Sequence, residues 1–171
     1  TPLDHVTQNT NDQSKLTMSV LMTPDMANIS GNVHGGTILK LLDQVAYACA
    51  SRYSGSYVVT LSVDKVNFKE PIHVGELVTF LASVNHVGRT SMEIGIRVEA
   101  QNIQKRTVRH TNSCYFTMVA VDENGKPKHI PALNLDNEWK RCRFEAAEQR
   151  KVARLQENHH PSCSIYKKSA S

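Results

Sequence analysis

At 171 residues, with 40% hydrophobic and 21% charged residues, the chain has the make-up of an ordinary globular domain long enough to bury a core. No apolar run approaches the roughly 20 residues needed to span a bilayer. The opening TPLDHVTQNTNDQSK is polar and lacks the apolar stretch of a secretory signal, so a cytoplasmic protein with no membrane partner is expected.

Residues 1–14 read as a polar extension. KLTMSVLM, residues 15–22, alternates with Leu16, Met18, Val20 and Met22 on one side and predicts a first strand. A loop rich in Asn and Gly follows, PDMANISGNVHGG, and then a helix from about Gly36 to Tyr53 with an apolar stripe of Ile38, Leu42, Val45 and Cys49. Four alternating stretches come next: Tyr57 to Lys69, Leu77 to Val87, Ser91 to Ile103 and Thr107 to Val121. In the third, Met92, Ile94, Ile96 and Val98 face one way and Glu93, Arg97 and Glu99 the other, which is a half-buried strand. Val87-Gly88-Arg89-Thr90 reads as a hairpin turn, Glu123-Asn124-Gly125-Lys126 as a turn after the last strand, and Pro71 and Gly75 punctuate the link before Leu77. Helix-forming composition returns at 136–157, and residues 158–171 read as a disordered tail. One long helix and about five antiparallel strands predict an α+β fold, a bent sheet wrapped around the helix over residues 15–135.

The net charge of +4 is uneven. From Asn137 onward there are eight Lys and Arg against four Glu, and the remainder balances at twelve of each sign. Such a segment suits a solvated helix face or a phosphorylated small molecule. Nucleic acid is disfavoured, because the basic residues lack interleaved aromatics and no binding module is visible. Cys49, Cys114, Cys142 and Cys163 are scattered without a C-x-x-C, so buried free thiols are expected. No H-E-x-x-H or regular ligand spacing occurs among the histidines, and His159-His160 with Cys163 reads as polar tail, so no metal is expected.

The chemistry concentrates around the loop and helix. Gly35 and Gly36 at a helix N-terminus can offer unpaired N–H groups to a polarised carbonyl, or simply make a tight turn. Asn28 can donate from its amide, or close an Asx-turn. Asp43 lies two turns into the helix, beside Gly36, Leu39, Lys40, Ala46, Tyr47 and Ala50. It is either an exposed acid near Lys40 or a group on a small-residue flank that a second subunit approaches. An oxyanion site, a polariser and a base together suffice for acyl transfer to water. His34 is a further candidate in the same loop.

These residues carry a resemblance. Pro24-Asp25-x-Ala27-Asn28-x-x-Gly31-Asn32-Val33-His34-Gly35-Gly36-x-Ile38-Leu39-Lys40, followed by Asp43, resembles the signature of hotdog-fold acyl-CoA thioesterases, nearest the broad-specificity bacterial enzymes related to the mammalian brain-type cytosolic hydrolases. Val66-x-Phe68-x-x-Pro71-x-x-x-Gly75-Glu76 and Phe116-Thr117-x-Val119-Ala120-Val121-Asp122-x-x-Gly125-Lys126-Pro127 are similar to that family as well. The resemblance implies a hotdog fold, homodimers with active sites at their interface, and trimers of dimers. It implies a catalytic pair of Asn28 from one subunit and Asp43 from its partner, with no cofactor, CoA arriving as part of the substrate. Asp43 would either deprotonate water or attack the carbonyl. Gly35, Gly36 and His34 would position the substrate, and Arg89, Thr90, Ser91, Arg143, Arg150 and Lys151 are candidates for the CoA phosphates. A hotdog hydratase or dehydratase, or an acyl-CoA sensor without catalysis, are the competing expectations.

Overall fold

Alternation carries directly into packing. The computed structural model describes residues 12–64 and 66–157. In chain order these form β1 (Lys15–Leu21), a short 3-10 turn (Pro24–Met26), α1 (Gly35–Ser54), β2 (Tyr57–Asp64), β3 (Leu77–Val87), β4 (Ser91–Asn102), β5 (Thr107–Val121) and α2 (Glu138–Glu157). The strands make one antiparallel sheet in the order β1-β3-β4-β5-β2.

The inner face of that sheet is written in the sequence with period two. Ile94 lies opposite Val84 and Phe116, and Ile96 opposite Ala82 and Cys114, all of them buried. Against this face α1 lays Ile38, Leu42, Val45, Ala46, Cys49 and Ala50, each buried, and it touches all five strands. Burying Leu42 completely stabilises the fold by about 2 kcal/mol. The helix stops where Gly55 turns left-handed at φ 64° and returns its N–H to the Ser51 carbonyl.

Two details depart from expectation. The stretch predicted as a strand from Tyr57 to Lys69 ends at Asp64. Beyond it the backbone turns to the loop before α1, with an isolated bridge between Asn32 and His73 and the Val33 N–H donating to the Ile72 carbonyl at 2.8 Å. The small flank near Asp43 also differs. Ala46 and Ala50 are fully buried within the chain, so the close approach they permit is that of its own sheet rather than of a second copy.

The two edges of the sheet are unlike. On β2 the side chains of Tyr57, Val59, Leu61 and Val63 are exposed, with a bulge between Thr60 and Ser62. On β1 the exposed positions are Lys15, Thr17, Ser19 and Leu21, and the Arg52 guanidinium donates to the Lys15 carbonyl. On the outer face, buried Asn85 sits at a bulge in β3. It accepts from the Ser83 hydroxyl at 2.6 Å and donates to buried Glu93 at 3.4 Å. Gly95 makes room for that amide, since a Cβ there would lie 2.3 Å from Asn85 Nδ2.

The described chain divides into two compact units, the second beginning at Leu135. Within it α2 opens on an Asn137 side chain that accepts from the Lys140 N–H at 2.9 Å, and Lys140 pairs with Asp136 at 3.0 Å. The expected tail at 158–171 and nearly all of the 1–14 extension lie outside the described residues, as do His159, His160 and Cys163. No described helix is long and apolar enough to cross a membrane.

Candidate active site

The loop between β1 and α1 is a small hairpin. Ala27 bridges Val33, the Asn28 N–H donates to the Asn32 carbonyl at 2.7 Å, and Gly31 takes φ +83°, a value that suits glycine. Asn28 holds the turn through one atom. Its Oδ1 accepts from the Ser30 N–H at 3.0 Å, the Ser30 hydroxyl at 2.6 Å and the Asn32 N–H at 3.2 Å. Backbone N–H partners fix which end of the carboxamide is oxygen. Among the described residues its Nδ2 has no acceptor, so both of its N–H groups stay available. The side chain thus closes the Asx-turn through Oδ1 alone, which leaves the donor reading open beside it.

The start of α1 adds two more donors. His34 is the N-cap without a side-chain capping bond; its carbonyl accepts from Thr37 and Ile38. Among the described residues the N–H groups of Gly35 and Gly36 have no acceptor. A Cβ on Gly36 would meet nothing within 4 Å, whereas one on Gly35 would lie 3.4 Å from the half-exposed Phe68 ring. The helix N-terminus is thus an open set of donors walled on one side by an aromatic.

Two turns along the helix, exposed Asp43 accepts from the Thr60 hydroxyl at 2.7 Å through Oδ1. Among the described residues it makes no ion pair with Lys40. Sequence reasoning missed Thr60. The available signal was a threonine following three apolar residues in the strand YVVTLSVD, which comes directly after the helix that carries the acid.

Other candidates fall elsewhere. The backbone of the turn at Arg89, Thr90 and Ser91 is spent on structure, the Arg89 carbonyl accepting from Ile130 and the Thr90 carbonyl from Ala120. The Arg89 side chain is exposed. Arg143 and Arg150 are half-buried and Lys151 is exposed on α2, in the second unit. Among the described residues no group of His, Cys, Asp and Glu could hold a metal ion. Burial pushes the Cys49 and Cys114 thiols up to about 12, which leaves them inert inside the core.

Residues 30–107 match the model of the thioesterase superfamily. An apo-hexameric acyl-CoA thioesterase of known structure superposes with a TM-score of 0.83 at 35% identity, over 87% of this chain and 96% of that one. The chain belongs to the acyl-CoA thioesterases. It is accordingly a thioester hydrolase, and its sheet wrapped on α1 is the hotdog fold expected from the sequence. This thioesterase is 53% identical over 148 residues to the VdlD protein of Helicobacter pylori, covering 86% of this chain and 84% of that protein. An acyl-CoA hydrolase of Staphylococcus aureus, solved with butyryl-CoA, CoA and CoA disulfide, shares 29% identity at a TM-score of 0.75 over 85% of this chain and 91% of that one.

Proposed function

We propose that the chain hydrolyses fatty acyl-CoA to a free fatty acid and CoA, with Asn28 from one subunit and Asp43 from its partner meeting at a dimer interface. The observation that carries this is the pairing of chemistries around α1. Unspent donors stand at Asn28 Nδ2, Gly35 and Gly36, and the Asp43 carboxylate is held on one oxygen by Thr60. The thioester carbonyl oxygen lies against the donors, where the helix dipole adds to them. Asp43 Oδ2 takes a proton from water as the water oxygen bonds to the acyl carbon. The C–S bond then breaks, and the CoA thiolate leaves and is protonated. Thr60, by occupying Oδ1, favours this general-base route over attack by the carboxylate. Single turnover in ¹⁸O-water tests the rival route: label entering Asp43 requires an anhydride opened at the aspartyl carbon, which the general-base route never forms.

Assembly is part of the reading. The exposed apolar row on the β2 edge suits pairing with a second copy, and Thr60 lies within that row's strand. Solved hexamers among similar proteins support a trimer of dimers. Solved forms of the Staphylococcus aureus hydrolase in which an asparagine, an aspartate or a threonine is replaced by alanine support the choice of residue types. Arg89, Thr90 and Ser91 meet the CoA phosphates, and Arg143, Arg150 and Lys151 on α2 form a second candidate set. No cofactor is required.

Release of free CoA from a panel of acyl-CoAs, followed with a thiol reagent, tests the activity; Asp43→Ala should abolish most turnover. Mixing Asn28→Ala with Asp43→Ala subunits tests the shared site, because random reassembly restores about a quarter of wild-type activity when each site draws on two chains. No recovery after verified exchange would place both groups in one subunit. Hydration without thiol release would instead support a dehydratase, and binding without turnover a sensor.

A further inference from the structure

A chain of contacts runs from the far end of β5 to Asn28. Arg109 donates to the Glu76 carboxylate through two nitrogens, at 2.8 and 3.0 Å, and to the Pro71 carbonyl at 2.6 Å. Its Nε also lies 3.4 Å from Glu70. Glu76 is buried at 4% exposure, and its Oε1 accepts the His73 N–H at 2.8 Å. The turn between these two is closed by the Glu76 N–H on the His73 carbonyl, with Gly75 at φ +88°. His73 in turn bridges Asn32 through the backbone, and its Nδ1 sits 3.0 Å from Asn32 Oδ1. Asn32 then holds Asn28 from both sides, accepting the Asn28 N–H at 2.7 Å and donating its own N–H to Asn28 Oδ1 at 3.2 Å.

We infer that Arg109, Glu76, His73 and Asn32 form a positioning relay that fixes the carboxamide of Asn28 so that its two N–H groups point at the substrate carbonyl. The inference rests on the proposed catalytic role of Asn28. The hairpin 26–34 carries no large buried side chain except Val33, so its shape depends on polar ties. The ion pair at the head of the relay is bidentate, with Glu76 buried and Arg109 partly exposed, and it anchors the segment 70–76 that the hairpin leans on. Burial alone would raise the Glu76 carboxyl. The Arg109 hydrogen bonds, the His73 N–H and the guanidinium charge more than offset it, so the group stays ionised and rigidly held. A donor displaced by a fraction of an ångström loses much of its effect on a transition state, which makes such anchoring worthwhile.

His73 gives the cleanest test, because its ring is exposed and its removal leaves the backbone bond to Glu76 in place. In the full chain, His73→Ala should lower kcat by about 10-fold while KM and the melting temperature stay near wild type. Asn32→Ala should do the same, and the double variant should be no worse than either. In an Asn28→Ala background His73→Ala should cost nothing further, since the group it positions is gone. Arg109→Lys, which keeps the charge but loses the fork, should lower kcat less than Arg109→Gln. Unchanged kcat in His73→Ala beside an impaired Asn28→Ala would overturn the relay alone, as would a full additional loss in the Asn28→Ala background. Full activity in Asn28→Ala would overturn the functional reading beneath it.

Discussion

Replacing Asn28 by aspartate separates the two duties of that side chain. The turn uses only Oδ1, which accepts from Ser30 N–H, Ser30 Oγ and Asn32 N–H at 3.0, 2.6 and 3.2 Å. A carboxylate presents an oxygen in the same place, so all three bonds survive and become charge-assisted. What disappears is Nδ2 with both donors. Loss of one oxyanion donor costs about 2.7–4 kcal/mol of transition-state stabilisation, or roughly 10²–10³ in kcat. The new negative charge beside a developing oxyanion pushes in the same direction. Asn28→Ala, by contrast, removes donor and turn together and should also lower stability by about 1–2 kcal/mol. The assay is CoA release at saturating acyl-CoA, with thermal melts on the same preparations. Asn28→Asp should be nearly inactive yet melt with the wild type, and Asn28→Ala should be nearly inactive and melt earlier. An aspartate variant that keeps more than about a tenth of wild-type kcat would refute the assignment of Nδ2 as a donor to the reaction.

Gly36→Ala should leave the fold intact or slightly stabilised, by up to about 0.5–1 kcal/mol, because a Cβ there meets nothing. Its kcat/KM should nonetheless fall at least about 10-fold if substrate occupies that open space, and unchanged kinetics would clear Gly36 of a role. Gly95→Ala should act the other way: its Cβ drives the Asn85 amide off Glu93, costing about 1–3 kcal/mol and several degrees in Tm while low-temperature activity survives. Glu76 predicts a pH signature. Its folded-state value lies below the ordinary 4.5, so the stability it contributes is present above 4.5 and is lost as pH falls through the folded value. Urea unfolding of wild type and Glu76→Gln should therefore differ at pH 7 and converge as the pH falls from 4.5 through the folded-state value, and a gap that stays constant with pH would contradict this.

The parts of the fold legible in sequence were those governed by local period. SMEIGIRVEAQN alternates from Ser91 to Gln101 because one face meets α1, and β4 follows the expected stretch almost to the residue. The end of β2 was not legible, because Val66 to Pro71 still alternates in places. The chain meets a loop some 40 residues earlier just beyond it, at Ile72 and His73, and only the fold brings that loop near. The small flank around Asp43 was misread for a related reason. A wheel locates Ala46 and Ala50 relative to Asp43 but does not say which surface comes to meet them. Asn28 and the glycine pair stood out ahead of an apolar helix, and Asp43 as an acid within it. Thr60 and the Arg109–Glu76 pair did not, since each joins positions 17 and 33 residues apart.

The unequal edges of the sheet set a counting rule. A strand with open, apolar flanks on both sides would template an endless ribbon, each copy exposing a fresh edge to the next. Here the β1 side is mostly polar and has Arg52 on one of its carbonyls, while the β2 side is apolar. If two copies join along β2, as proposed, both receptive edges are consumed and the blunter β1 edges face outward, so growth along the sheet would stop at two. Under that pairing any larger particle would be built from pairs through other surfaces, and a lesion at β2 would strike the contact on which the proposed shared sites depend, whereas a lesion elsewhere would spare it.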